Sequence, residues 1–323
     1  MFVNIVLFIL GFVFLIMGAN LLVDGSSSIA KRYGISNLVI GLTIVAFGTS
    51  APELIVSLFA AIKGSTGVAM GNIIGSNISN TLLILGVAAL ICPLLVKKNT
   101  VNKEIPFSVL AIFAVLFMVN DGLIDRLAPD ALTRIDGLIL ILFFVIFIYY
   151  TFGISKVEEG ILESIGDEKI KKYNNFLAFG MIILGLVGLF FGGQWIVNGA
   201  VLFASHFGIS ETLIGLTVVA IGTSLPELAA SGIAAYKGHT DIALGNVVGS
   251  NIFNLLWVLG ISSIVKPIPF LTTLNLDFVM LLGVTVILLF LIYIGKKNIL
   301  GKSEGAVLLG LYATYLIFTI VRG

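Results

Sequence analysis

The sequence predicts an all-α polytopic membrane protein of ten transmembrane helices, arranged as two inverted five-helix repeats with helices broken at the membrane midplane. Three observations predict it. First, 59% of the 323 residues are hydrophobic and only 11% are charged, with mean hydropathy +1.15, whereas soluble domains carry about a quarter charged residues. Second, apolar runs near the roughly 20 residues that cross a hydrocarbon core of about 30 Å occur ten times. Third, one polar pattern is written twice. Gly41 to Asn80 reads GLTIVAFGTSAPELIVSLFAAIKGSTGVAMGNIIGSNISN and Gly215 to Asn254 reads GLTVVAIGTSLPELAASGIAAYKGHTDIALGNVVGSNIFN, at a constant offset of 174 and with 25 of the 40 paired positions identical. Shared hydrophobicity does not produce that identity; a tandem duplication does.

In chain order, the run 2–23 starts at Phe2 without a basic flank and is longer than a signal-peptide core, so it reads as a retained first helix. Runs 35–61, 66–92, 105–120 and 133–153 complete a first repeat over 1–155. The hydrophilic stretch KVEEGILESIGDEKIKKYNN, residues 156–175, is the linker, and runs 176–199, 209–235, 240–265, 273–294 and 304–320 form a second repeat over 176–323. Assigning loops alternately to two sides puts 13 of the 18 Lys and Arg on the linker side, leaving Lys63, Arg126, Arg134, Lys266 and Arg322 for the other. By the positive-inside rule the linker is cytoplasmic and both termini lie outside, in a multi-pass protein of the cell membrane. Because five is odd, the second repeat enters from the opposite face. The two motif copies then oppose each other near the midplane.

Composition also narrows function. A net charge of +1 without any basic run argues against nucleic acid, so the expected partners are the lipid bilayer and small ions, with no protein partner evident. A lone Cys92 provides neither a disulfide framework nor a thiolate cluster, and His206 and His239 are too few for an imidazole site. No cofactor is expected. The serines beside Glu53 and Glu227 have no His or Lys base nearby in sequence, which disfavours an intramembrane enzyme. Other acids, Asp24, Asp121, Asp125, Asp130, Asp136 and Glu211, fall at run ends or in loops and read as solvated or capping.

Each motif copy carries one glutamate, Glu53 or Glu227, inside an apolar run. An ionised carboxylate at that depth costs at least about 2.5 kcal/mol on insertion scales, so two at equivalent positions imply a neutralising cation. In GTSAPE and GTSLPE, Pro52 and Pro226 lack a backbone N–H and crowd the carbonyl four residues back. Such a break frees carbonyls near Gly48 and Gly222, including those of Ala46, Thr49, Ala220 and Thr223, and irregular backbone in a membrane survives where it lines a cavity. Hydroxyls of Thr49, Ser50, Thr223 and Ser224 add further oxygens. Downstream, Gly71 with Gly75 and Gly245 with Gly249 suit close helix packing, with Asn72, Asn77, Asn246 and Asn251 as interhelical glue. Ser76 and Asn80 lie four apart on one helical face, as do Ser250 and Asn254.

With GTSAPE, GTSLPE, GNIIGSN and GNVVGSN in place, the chain resembles the cation/calcium antiporter superfamily, specifically its prokaryotic sodium/calcium exchangers, across both halves. The resemblance implies an antiporter exchanging Na+ for Ca2+ by alternating access. It implies a calcium ion between Glu53 and Glu227 with backbone oxygens of Thr49 and Thr223. Sodium sites would use Ala46, Ser50, Ser76 and Glu53 in one repeat and Ala220, Ser224, Ser250 and Glu227 in the other, with Asn80 and Asn254 completing the centre. It also implies that the first and sixth helices slide as a gate, a role suited to Gly11, Gly18, Gly185 and Gly192.

Several members of the family, including the potassium-dependent branch, carry aspartate where this chain has Asn254, so potassium co-transport is not expected here. Serine at positions 76 and 250, where the hydrogen/calcium branch has a nearby glutamate, favours sodium over protons. Two glutamates with one calcium give a neutral core, with three sodium ions +1, and empty −2; the empty core is the costliest to carry across, which makes exchange obligatory. Three-for-one exchange moves one charge, worth about 2.3 kcal/mol per 100 mV. Flexible oxygen ligands suit calcium better than magnesium. The alternatives are a proton/calcium antiporter of the same superfamily and a passive cation channel.

Overall fold

The computed structural model describes residues 2–98, 100–124, 126, 130–155, 173–206, 220–294 and 298–322. The chain is built of helices: α1 Phe2–Tyr33, α2 Asn37–Thr49 and α3 Ala51–Lys63, α4 Gly67–Ile91, α5 Thr100–Met118, α6 Arg134–Ser155 and α7 Asn175–His206. Then come the one-turn α8 Ala220–Thr223, α9 Leu225–Tyr236, α10 Thr240–Val265, α11 Asn275–Ile294 and α12 Lys302–Arg322.

Among the described residues, eight helices are long and apolar enough to cross a membrane, and α2 with α3 make a ninth span bent by 45°. The tenth expected run, 209–235, is described only from Ala220, and the linker 156–175 only at its last three residues. Two spans outrun their apolar cores. α1 continues to Tyr33, with Ser26, Ser27 and Ser28 buried in its extension, and α7 continues to His206.

The break between α2 and α3 falls at Ser50 (φ −81°, ψ 5°), and the break between α8 and α9 at the equivalent Ser224 (φ −86°, ψ 3°). Pro52 and Pro226 sit in the first turns of α3 and α9, where a missing N–H is harmless. The Ala46 carbonyl is not freed by the break as expected: the Ser50 N–H still reaches it at 3.0 Å. Left-handed glycines, Gly64 (φ 81°) and Gly238 (φ 79°), end α3 and its counterpart turn.

α1 and α7 pack against each other in opposite directions. Gly11 meets Gly192 and Ile196, Gly18 meets Gly185 and Leu189, and Gly25 meets Ala178 and Ile182. A Cβ on Gly18 would lie 2.7 Å from the Gly185 carbonyl oxygen, so only glycine allows this backbone approach. Gly245 and Gly249 likewise press on the α2 backbone at Leu38 and Leu42, as expected. Gly71 and Gly75 have no such neighbour among the described residues; the segment that would correspond to Leu38–Ala46, residues 212–220, lies almost wholly outside them.

Two short antiparallel ladders join the two halves of the chain, Leu94 with Leu300 and Leu95 with Ile299, and Ala131 with Pro269 and Leu132 with Ile268. The acids at run ends divide. Asp130 accepts from the Gly122 N–H at 2.6 Å and Asp136 from the Thr133 N–H at 2.8 Å, both capping as expected. Asp24 is not simply solvated. Its carboxylate pairs with Lys237 at 2.6 Å, tying α1 to the end of α9.

Candidate ion-binding site

Glu53 lies in the first turn of α3 and Glu227 in the first turn of α9, and both are 0% exposed. The helix breaks at Ser50 and Ser224 turn these first turns inward, toward the middle of α4 and α10. Those middles are held by a hydrogen-bond pattern repeated almost residue for residue. Asn72 donates to Ser57 Oγ at 3.1 Å and to the Glu53 carbonyl at 3.5 Å, while Asn246 donates to Ser231 Oγ at 2.9 Å and to the Glu227 carbonyl at 3.4 Å. Each of these amides also reaches into the other repeat. Thr49 Oγ1 donates to Asn246 Oδ1 at 3.0 Å, and Thr223 Oγ1 to Asn72 Oδ1 at 3.4 Å.

The carboxylates face hydroxyls, and neither pairs with a lysine or arginine among the described residues. Glu227 Oε1 accepts from Ser50 Oγ at 3.2 Å, and Thr49 lies close by. Glu53 has Thr223 and Ser76 as polar neighbours, but neither of its oxygens has a hydrogen bond of good geometry among the described residues. Ser76 Oγ turns to the Asn72 carbonyl, and Ser250 Oγ lies 3.5 Å from Thr49 Oγ1. Of the candidate site residues, six buried oxygens have no hydrogen-bond partner among the described residues: Glu53 Oε1 and Oε2, Glu227 Oε2, Ser224 Oγ, Asn80 Oδ1 and Asn254 Oδ1. Native proteins leave few such atoms, and an unpaired buried carboxylate costs several kcal/mol. A hard cation, which binds oxygens and needs negative charge, answers both deficits.

Of the twelve residues singled out from sequence, Glu53, Glu227, Thr49, Thr223, Ser50, Ser224, Ser76, Ser250, Asn80 and Asn254 are buried in this region, at 8% exposure or less. Ala46 is buried beside Thr49, whose hydroxyl lies 3.4 Å from its carbonyl. Ala220 is the first residue of α8. A cavity of about 120 Å³ opens beside Thr223 between α3, α7 and α9, lined by Pro52, Phe190, Gln194, Val197 and Pro226 among others.

Sequence reasoning placed Asn72 and Asn246 only as glue between helices and passed over Ser57 and Ser231. Their signal was present: Asn72, Ser76 and Asn80 step by four, so the face that carries the site begins one turn earlier than expected.

The sequence profile of the sodium/calcium exchanger protein family matches residues 3–153 and 177–321. The chain belongs to the sodium/calcium exchanger family. Its relatives include the sodium/calcium exchanger MaX1 of Methanosarcina acetivorans, 32% identical, with 98% of each chain covered. They also include the Ca2+/H+ antiporter ChaA of Bacillus subtilis, 27% identical over 87% of this chain and 82% of that one. Among solved structures, the sodium-calcium exchanger NCX_Mj soaked with 2.5 mM Na+ and 0.1 mM Ca2+ superposes with TM-score 0.80 at 32% identity, covering 98% of both chains. This exchanger-family chain is therefore a multi-pass membrane protein and a cation/calcium antiporter, not an enzyme, and it needs no cofactor.

Proposed function

We propose that the protein exchanges Na+ for Ca2+ by alternating access, in an electrogenic and potassium-independent cycle. The observation that carries this reading is the set of six unpartnered buried oxygens, three of them from the opposed carboxylates of Glu53 and Glu227. Calcium sits between the two glutamates with the backbone oxygens of Thr49 and Thr223. Sodium ions use the oxygens of Ala46, Ser50, Ser76 and Glu53, and of Ala220, Ser224, Ser250 and Glu227. Asn80 and Asn254 close the centre.

The architecture that serves this is ten helices in two inverted repeats, 1–155 and 176–323, joined by a cytoplasmic linker at 156–175 with both termini outside. Support comes from the opposite directions of the equivalent helices α1 and α7 and from the matched bonds of Asn72 and Asn246. A site flanked by inverted copies can open to either side by moving one pair of helices against the rest.

Likeness to the Ca2+/H+ antiporter ChaA favours proton exchange as a second reading. Hydroxyls at Ser76 and Ser250, whose oxygens can ligate sodium but which do not take up or release protons near neutral pH, favour sodium. Purified protein in sealed liposomes separates the two. Calcium uptake should follow an outward sodium gradient and ignore a proton gradient of equal size; the opposite result would assign the counter-ion to protons.

A further inference from the structure

At the centre of the site, four asparagines form two relays whose directions are set by backbone carbonyls. A carbonyl oxygen can only accept. The Asn77 atom that lies 3.1 Å from the Asn251 carbonyl is therefore its amide nitrogen. That turns Asn77 Oδ1 toward Asn254, which donates to it from Nδ2 at 3.0 Å. In the second relay, Thr81 gives its hydroxyl proton to the Asn77 carbonyl at 2.9 Å. Its oxygen is left to accept from Asn251 Nδ2 at 2.9 Å, and Asn251 Oδ1 then accepts from Asn80 Nδ2 at 3.1 Å. Both relays end in the same way. Asn254 Oδ1 and Asn80 Oδ1 are buried without a hydrogen-bond partner among the described residues, and their residues are 0% and 1% exposed.

We propose that Asn77 and Asn251 are positioning residues that lock the side-chain amides of Asn254 and Asn80, so that each presents its oxygen, and not its NH2, to the transported cation. Flipping the Asn254 amide would set its oxygen against Asn77 Oδ1 and aim two N–H groups at the ion. An amide left free to turn binds a cation only in the fraction of orientations that point the oxygen inward. The lock removes that loss. The relays are anchored differently: position 81 is threonine, while its counterpart in the second repeat is Leu255. Asn77 therefore depends on a backbone carbonyl alone, and Asn251 on the Thr81 hydroxyl. The same geometry explains why position 254 suits an amide. A carboxylate there would bring an unprotonated oxygen against Asn77 Oδ1.

This inference rests on the exchange reading, and a double-mutant cycle on purified protein separates the two. Equilibrium binding of radioactive calcium and the calcium dependence of uptake are measured for the parent, Asn77→Ser, Asn254→Ser and the double variant. If Asn77 acts through the Asn254 amide, Asn77→Ser weakens calcium binding about tenfold and raises the KM for calcium in step, while maximal uptake stays within about threefold. In the Asn254→Ser background it adds less than about twofold. Losses that multiply in the double variant, an Asn77→Ser protein that binds calcium like the parent, or a fall in maximal uptake with KM unchanged would overturn the positioning role. Should Asn77→Ser fail to yield monodisperse protein, Asn251→Ser with Asn80→Ser reads the same coupling through the other relay. A parent protein that binds no calcium, or whose bound calcium sodium does not displace, would instead sink the exchange reading itself.

Discussion

Replacing Glu53 by glutamine removes one of two charges opposing a divalent ion while keeping the side-chain shape. Neither Glu53 oxygen has a hydrogen bond of good geometry among the described residues, whereas Glu227 accepts one from Ser50. Glu53 therefore has the greater unmet need for a cation. Removing one partner from a buried charge pair typically costs about 3–5 kcal/mol, which at about 1.4 kcal/mol per factor of ten is roughly two to four decades in calcium affinity. The ion-free protein should respond in the opposite sense, because a neutral amide among the Thr223 and Ser76 hydroxyls replaces an uncompensated buried charge. The assay is thermal unfolding in detergent with and without calcium, alongside flux in liposomes. Ligand at about 100 times its Kd stabilises a protein by about 2.7 kcal/mol, so the parent should melt later with calcium. Glu53→Gln should melt at or above the calcium-free parent, gain nothing from calcium and transport none. A retained calcium-dependent shift, or calcium flux within a few-fold of the parent, would refute the reasoning.

Three further expectations follow from other parts of the molecule. In a Cys92→Ala background, a cysteine at Lys169 should react with impermeant reagent only from the cytoplasm and one at Arg134 only from outside; labelling of both from one face would overturn the five-plus-five count. Asn254→Asp should make calcium uptake more sensitive to pH than in the parent, since the added carboxyl must take a proton or a further cation. A pH profile superposing on the parent's would show that the centre tolerates a third charge. Burial, and secondarily Lys237, hold the His239 imidazole below the usual histidine range, against the pull of Asp24 and Asp241. A folded-state value below the unfolded one means stability that is present above about pH 6.5 and declines as pH falls. Melting temperature should therefore drop on acidification in the parent and drop less in His239→Gln, and equal slopes would exclude His239.

Much of the site was legible because membrane sequence is a quiet background. A carboxylate one residue after a proline, twice at the same offset, stands out among apolar residues, and Glu53 and Glu227 needed nothing more. Ser76 with Asn80 and Ser250 with Asn254 followed from a spacing of four. What the sequence hid depends on contacts between distant segments. Asn77 sits one residue beyond Ser76 and so points to a different face; its part in the site appears only when Asn251 of the other repeat lies against it. Asp24 looked like a solvated helix end because its partner, Lys237, is more than two hundred residues away. The irregular turns that widen the helices at Gly41–Val45, Asn80–Ile84 and Phe253–Val258 leave no signature in periodicity, although they flank the site. The close packing expected of Gly71 and Gly75 depends on a segment beyond the described residues.

The most direct test of a two-carboxylate site that trades sodium for calcium is calcium uptake into liposomes holding the purified protein. Internal sodium should be varied and the membrane potential set independently of the ions exchanged, with and without potassium. With two carboxylates and a neutral Asn254, uptake should need internal sodium, proceed without potassium, and quicken when the inside is made positive and slow when it is made negative, because three sodium ions leaving for each calcium entering carry one net positive charge outward. Uptake that requires potassium, persists without a sodium gradient, or ignores the membrane potential would contradict the charge count at Glu53 and Glu227.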